Sequence, residues 1–506
     1  MQIIWFKRDL RIEDHQALSL AAARGAILPL YILEPELWRE PDMSARHYAF
    51  LTDSLAELDQ SLQMLGQRLI LKIGNAVDIL AALHQRHAIE ALWSHQETWN
   101  GWTYRRDKAV NSWCRSHNIP WHQPAQHGVI RRLGNRDGWA ASWHCRMNQP
   151  VLPAPPALPA ITESSQKLPD AEAFGLPPDP ATALQQGGRS AGLLLLNSFL
   201  DERGQYYTSE MSSPVTAFDS CSRLSAHLAF GTLSIREIFK TCEQRSQQIK
   251  QLPYGMKGKW QSALRSFSGR LRWHCHFIQK LEDEPQIEFE NMHPAYDGLR
   301  ESAFNQAYFE AWKAGKTGYP MVDACMRALT ATGWLNFRMR AMLMSFASQH
   351  LWLHWRKPAL HLARLFTDYE PGIHYSQAQM QSGTTGINAI RIYNPIKQGI
   401  DHDPQGSFIR HWIPELRDMD DAFIHMPWKA LSQMNGYPMP IIDEKTARRS
   451  AADQLYGLRK GNIDHRQTAN QIVQKHGSRK SGLQKTLKSS RKKTANQGAI
   501  QGELPL

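Results

Sequence analysis

The segment Thr317-Gly318-Tyr319-Pro320-Met321-Val322-Asp323-Ala324 decides how this chain is read, together with Gly333-Trp334-Leu335-Asn336-Phe337-Arg338-Met339-Arg340, Asp368-Tyr369-Glu370-Pro371-Gly372 and Arg391-Ile392-Tyr393-Asn394-Pro395 downstream. Pro320 suits the first turn of a helix, and Met321, Val322, Ala324, Cys325, Ala328 and Leu329 then recur at helical spacing, so one face is buried. Asp323 and Arg327 stand four apart and are placed to pair. A second helix, predicted from Asn336 to Leu353, carries Arg338 and Arg340 just ahead of the apolar run Ala341 to Ala347. Arginine that close to a core requires an anionic partner, and Asp368 and Glu370 on the loop beyond the next helix are the candidates.

Outward from that segment, 506 residues with 42% hydrophobic composition predict two domains plus appendages. Apolar stretches are too short to span a membrane, and the opening Met1 to Arg8 lacks a signal-peptide pattern, so the chain is read as soluble and cytoplasmic. Six cysteines without a Cys-x-x-Cys pair read as scattered reduced thiols. Of the net charge of +12, nine Lys/Arg between positions 465 and 502 face no acid, leaving the body only mildly basic.

The first 130 residues alternate short apolar runs (2–6, 26–33, 68–72, 89–93, 119–121) with helical segments (47–65, 76–86, 104–117), the pattern of a doubly wound α/β domain on a parallel sheet. Lys7-Arg8-Asp9-Leu10-Arg11 follows the first strand, at the carboxyl end where open α/β sheets place ligands, but no Gly-x-Gly-x-x-Gly marks a dinucleotide site. Nine prolines between 150 and 180 exclude helix and sheet, so residues 131–189 read as a linker laid over the surface. Residues 190–460 read as an all-α domain, and 461–506 as a basic, disordered tail that either solubilises or adds salt-dependent contacts to nucleic-acid phosphates through Lys488, Arg491, Lys492 and Lys493.

Several small constellations have ordinary readings. Ser220-Cys221-Ser222-Arg223-Leu224-Ser225 precedes an apolar helix, where hydroxyls either cap it or leave its N–H groups to phosphate. His274-Cys275-His276 points three ways around a helix and so predicts no metal. Ser382-Gly383-Thr384-Thr385-Gly386 with Arg391 is either a simple turn or a backbone approach to phosphate or adenine. Asp401 and Asp403 lack further oxygen ligands at calcium-loop spacing and read as solvent-facing.

The chain resembles the photolyase and cryptochrome flavoproteins over residues 1 to about 430. Phe309-Glu310-Ala311-Trp312 with Gly315 and Thr317-Gly318-Tyr319-Pro320, Ser222-Arg223-Leu224-Ser225, and Phe408-Ile409-Arg410-His411-Trp412 carry the likeness. It implies an all-α FAD-binding domain and light-driven splitting of pyrimidine dimers in UV-damaged DNA by electron transfer from reduced flavin, in a monomer. The alternative it carries is a cryptochrome-like blue-light receptor without repair activity. It further implies that Tyr207, Ser222, Arg223, Leu224, Ser225, His274, Arg340, Asp368, Glu370 and His374 hold FAD, that Trp273, Arg270, His374 and Met380 line the catalytic pocket, and that Arg391 contacts DNA. Trp312 and Trp355 match the outer and middle members of an electron-transfer chain, whose inner tryptophan is Ala378 here; either another aromatic such as Tyr375 or Trp334 substitutes, or photoreduction is slow. Arg270, Phe337, Ala378 and Met380 depart from repair enzymes and favour the receptor reading. Relatives that use the N-terminal domain for a ligand hold a folate or deazaflavin antenna there; the residues fit a purely structural role equally. Some relatives hold an iron–sulfur cluster with C-terminal cysteines, and no cysteine follows Cys325 here.

Overall fold

Residues 1–479 and 481–483 are described by the computed structural model, Tyr254 in its backbone alone. Five parallel strands, β1 (Gln2–Phe6), β2 (Ile27–Leu33), β3 (Ile70–Ile73), β4 (Ala91–Trp93) and β5 (Trp121–His122), form one sheet in the order β3-β2-β1-β4-β5. β1 pairs with β2 from Gln2–Ile27 to Phe6–Tyr31 and with β4 from Gln2–Ala91 to Ile4–Trp93. β1 and β2 are buried along their whole length, as expected of strands covered on both faces by helices. Covering helices include α1 (Ala45–Met64), α2 (Ala76–His87) and α3 (Gly101–Ser116). The order reverses direction between β1 and β4, the switch point of the sheet.

The proline-rich linker does more than lie on the surface. β3 is an edge strand, and the linker covers it: Gln166 N donates to Leu71 O at 2.9 Å, while Ser165 Oγ and Gln166 Oε1 accept from Leu71 N and Ile73 N. Side-chain oxygens can serve a strand edge without β conformation, which is how a proline-rich segment protects it. The linker also forms a single turn at Ala171–Phe174 that buries Phe174.

After β5 every element among the described residues is helical. The principal ones here are α4 (Trp139–Met147), α5 (Ser225–Ala229), α6 (Trp260–Asp283), α7 (Pro320–Thr332), α8 (Phe337–Ser345), α9 (Arg356–Leu365), α10 (Pro371–Ser382), α11 (Glu444–Arg459) and α12 (Ile463–His476). α6 and α10 approach so closely that a Cβ on Gly372 would meet Ile278 Cα at 2.6 Å. The predicted long helix ends at Ser345 and continues as a π-turn over Phe346–His350.

Three expectations are corrected. Asp323 does not pair with Arg327: its carboxylate accepts from Thr317 N and Oγ1, Gly318 N and Tyr437 OH, while Arg327 reaches Glu415 at 2.8 Å. Four neutral donors leave the burial penalty dominant, and the Asp323 carboxyl is pushed up to about 6. Asp403 is buried, not solvent-facing, because its carboxylate accepts from Ser407 Oγ, Phe408 N and Ile409 N at the start of a short helix; Asp401 pairs with Lys397 on the surface. The tail is ordered beyond Gly461, since α12 stacks His465 on His293 and sets His476 against Glu284 at 2.6 Å. Lys488, Arg491, Lys492 and Lys493 lie outside the described residues.

Arg46 on α1 ties the sheet domain to the helices. Its guanidinium is fully buried and bidentate to Asp179 of the linker, both bonds 2.7 Å, and donates to Leu329 O and Thr330 O near the end of α7 and to Leu365 O at the end of α9. A cation is favoured where two helices end, because their last carbonyls are unsatisfied and negative. Arg46→Ala leaves Asp179 and three carbonyls without this donor, so it should lower unfolding free energy by about 3–5 kcal/mol in urea titrations; a loss within about 0.5 kcal/mol would remove this clamp from the account of stability.

Candidate functional site

Arg340, at the start of α8, forms a two-pronged ion pair with Asp368: Nη1 to Oδ1 2.9 Å and Nη2 to Oδ2 2.8 Å. Burial alone would raise the Asp368 carboxyl, but the Arg340 guanidinium, its hydrogen bonds and Ser225 hold it below the usual range. Ser225 thus turns its hydroxyl to Asp368 rather than to its own helix, and α5 carries Leu224 at its N-cap, with no side-chain cap bond. This corrects the capping reading. Ser222 Oγ accepts from Leu224 N, at 3.4 Å. Arg223 takes a left-handed backbone (φ 61°) and lays its guanidinium over Phe218 and Trp334, at 3.8 and 4.3 Å from the ring centres. Burial pulls that guanidinium down to about 10.

Glu370 and His374 open α10. Burial pushes the Glu370 carboxyl up to about 8, against the opposing charge of Arg8. It holds the His374 imidazole near 4, so the ring is neutral. Its Nε2 lies 2.8 Å from Ala359 O, which places the ring proton there and leaves Nδ1 as an acceptor. His274, on α6, is likewise pulled down to about 4 by burial. Glu370, His374, His274 and Trp273 nevertheless keep part of their surface accessible on α6 and α10, two helices in close contact, and mark the candidate recess. Tyr207 packs on Phe199 and Phe267 and is hydrogen-bonded to Arg270, whose Nη2 also meets Met211 S at 3.8 Å. Asn336, one place early for the family pattern, donates to Met211 O and Ser212 O.

Buried polar atoms without a partner cluster in the chain around this ion pair: Ser220 Oγ, Arg223 Nε, Arg338 Nε, Thr367 Oγ1, Glu370 Oε1 and Ser376 Oγ. Buried groups are normally satisfied, so these atoms are free to meet a ligand rich in hydrogen-bonding groups, as FAD is, although other such atoms are spread along the chain. Arg338, expected to seek the same acids as Arg340, is one of these.

The aromatic residues separate. Trp312 packs with Phe309 and His361, Trp355 with Tyr375 at 6.2 Å, and Trp334 with Phe218 and Arg223. Tyr375 is therefore the ring placed beside Trp355. Met380 is half-buried on α10, and Arg391 gives its carbonyl to Ser345 Oγ.

The first domain reaches the recess. Arg8 is stacked between Trp99 and Phe230, at 4.1 and 4.7 Å, and its Nε donates to Ala229 O. Leu10 N donates to Phe230 O, and a Cβ on Gly231 (φ 68°) would meet Arg8 O at 2.1 Å. These contacts escaped the sequence reading; only the strand-end position of Arg8 hinted at them. At the switch point itself, Lys7, Glu34, Glu97, Arg106 and Asp107 pair with one another, nearly all out of solvent. That crevice therefore carries a charge network of its own, and a cavity lined by Trp102, Arg105 and Arg106 adjoins it. Asp9, His15 and His95 cluster beside it. Because Leu18 N donates to His15 Nδ1, the His15 proton sits on Nε2, 3.0 Å from Asp9, which suits a hydrogen-bonded cluster better than a metal.

Family models for DNA photolyase and for the FAD-binding domain of DNA photolyase match residues 2–134 and 267–456. The deoxyribodipyrimidine photo-lyase of Streptomyces griseus is 30% identical over 465 residues, covering 88% of this chain and 97% of that protein. The chain belongs to the photolyase and cryptochrome family. It carries the family's FAD-binding domain. Cryptochrome-2 of Arabidopsis thaliana is 29% identical over 504 residues, 91% of this chain and 79% of that protein. The solved class III photolyase of Agrobacterium tumefaciens superimposes with a TM-score of 0.77 at 25% identity, covering 91% and 98% of the two chains. No helix among the described residues is long and apolar enough to cross a membrane.

Asp368→Ala leaves Arg340 facing the recess without its carboxylate. FAD should then bind about 1.5–3 kcal/mol more weakly, roughly ten- to a hundredfold in Kd, read as flavin absorbance per protein after purification. Full yellow colour would argue against the pairing as a flavin determinant.

Proposed function

We propose that this protein is a light-driven DNA photolyase that splits UV-induced pyrimidine dimers, using FAD held in the helical domain at 190–460. The Arg340–Asp368 pair, its carboxylate buried and its guanidinium half-buried, supports this most directly. Bound reduced flavin supplies the light-driven electron, and the protein supplies position and electrostatics. In this reading Arg340 and Asp368 fix one side of the cofactor, and Ser225, Arg223 and Ser222 hold its phosphate-bearing part. Leu224, Tyr207 and His274 pack against it, while neutral His374 offers Nδ1 as an acceptor. Glu370, kept protonated at neutral pH by burial, adds no charge to the recess. Trp273 with Met380 forms the wall against which a flipped-out dimer rests. Arg391 and the basic residues 488, 491, 492 and 493 contact DNA phosphates, giving salt-dependent affinity.

A cryptochrome-like receptor is the second reading, favoured by one observation. Arg270, where repair enzymes of the family carry a glutamate, is spent on Tyr207 and Met211 rather than left free for a lesion. Dimer content of UV-irradiated oligonucleotides separates the two, measured after incubation with chemically reduced protein in blue light and in darkness. Light-dependent loss of dimers is expected. No loss, from protein that retains flavin and binds the DNA, would move the assignment to the receptor.

A further inference from the structure

Ala378 leaves no ring where the family's inner tryptophan stands, yet the same helix carries a buried aromatic one turn earlier. Tyr375 is fully buried, 6.2 Å from Trp355, 5.3 Å from His374 and 6.3 Å from Tyr369. Tyr369 lies between the two acids at the recess, and its ring is 5.4 Å from His374. Its hydroxyl crosses into the other domain and meets Asp42 Oδ2 at 2.7 Å, with Tyr375 OH at 3.2 Å. Asp42 also accepts from Asn100 Nδ2 at 3.2 Å, and its Oδ1 has no hydrogen-bond partner among the described residues.

A pairing of phenol and carboxylate this short and dry exceeds what packing requires. A lone buried carboxylate is costly, and an aliphatic or phenylalanine ring would fill the same volume. The phenol proton belongs on the nearer, charged acceptor. Burial drives the Tyr369 and Tyr375 hydroxyls well above 10, so neither ionises beforehand. Oxidation of either ring must therefore lose a proton with the electron, and only Tyr369 has a carboxylate in hydrogen-bond contact. Burial also raises the Asp42 carboxyl, opposed by the hydrogen bonds from Tyr369 and Asn100, while the neighbouring Glu288 is pushed up to about 7 by burial and by Asp42 itself.

We propose that Tyr369 and Asp42 form a proton-coupled electron donor to the flavin site, joined through Tyr375 to Trp355. One electron passes from Tyr369 to photoexcited oxidised flavin. The Tyr369 O–H bond breaks, its proton forms an O–H bond at Asp42 Oδ2, and a neutral tyrosyl radical remains. A thiol reductant in solution returns the electron, and Asp42 returns the proton. The inference rests on FAD occupying the recess but not on repair.

Flash excitation of the FAD-loaded full chain without DNA, followed by time-resolved electron paramagnetic resonance and optical absorption in H2O and D2O, tests it. The wild type should give a tyrosyl radical whose formation slows in D2O. Tyr369→Phe should lose that radical. Asp42→Asn keeps shape and hydrogen bonding but removes the proton acceptor; it should slow formation on the order of a hundredfold, the lower end of what a positioned base contributes, and abolish the solvent isotope effect. Flavin content per protein is read first. A wild-type chain that binds no flavin overturns the recess assignment together with this donor, whereas lack of dimer splitting leaves the radical measurement unaffected. If Tyr369→Phe and Asp42→Asn, both retaining flavin, give the same radical at the wild-type rate, the pair is structural and the proposal is wrong.

Discussion

The structure depends on one buried guanidinium. Arg46 sits on a helix of the sheet domain, grips the linker through Asp179 and caps the ends of two helices of the second domain. A buried cation of this kind tolerates no slack, because each donor left unpaired costs free energy comparable to the interaction it loses. Linker, sheet and helices are therefore held in one arrangement. The recess that collects Asp368, Glu370 and His374 lies just beyond the helix that Arg46 caps at Leu365.

That arrangement brings the first domain to the chemistry. The loop after β1, which α/β logic would devote to a ligand at the switch point, instead delivers Arg8 between Trp99 and Phe230, facing Glu370. The switch point carries a salt-bridge network of its own. Asp42, just ahead of α1, likewise crosses to Tyr369. The sheet domain acts on the recess by charge and hydrogen bonding.

Individual positions show where sequence logic reached and where it stopped. The strands were legible because apolar runs bounded by helical segments have few other readings, and all five appear within a few residues of expectation. Arg340 with Asp368 was legible because a cation set into an apolar helix needs an acid and few were near. The same logic failed for Asp323 and Arg327. Spacing of four makes a pair possible, but backbone N–H groups at Thr317 and Gly318 and an external Glu415 competed better. Asp403 was misread for a related reason, since a cap for a following helix looks like any acid in a polar loop. α12 was hidden by the basic composition of the segment around it, although Ile472, His465 and His476 bury one side.

The sequence by itself determined the two-part architecture, the helical face that carries the charged pair and the family likeness, because periodicity, buried charge and ordered motifs are local properties of the chain. Only the tertiary structure decided which acid each cation takes, that the linker guards an edge strand, and that Tyr369 meets a carboxylate 327 residues away. Those choices are made by competition among donors and acceptors that become neighbours only when the chain is folded, and no local pattern records the winner.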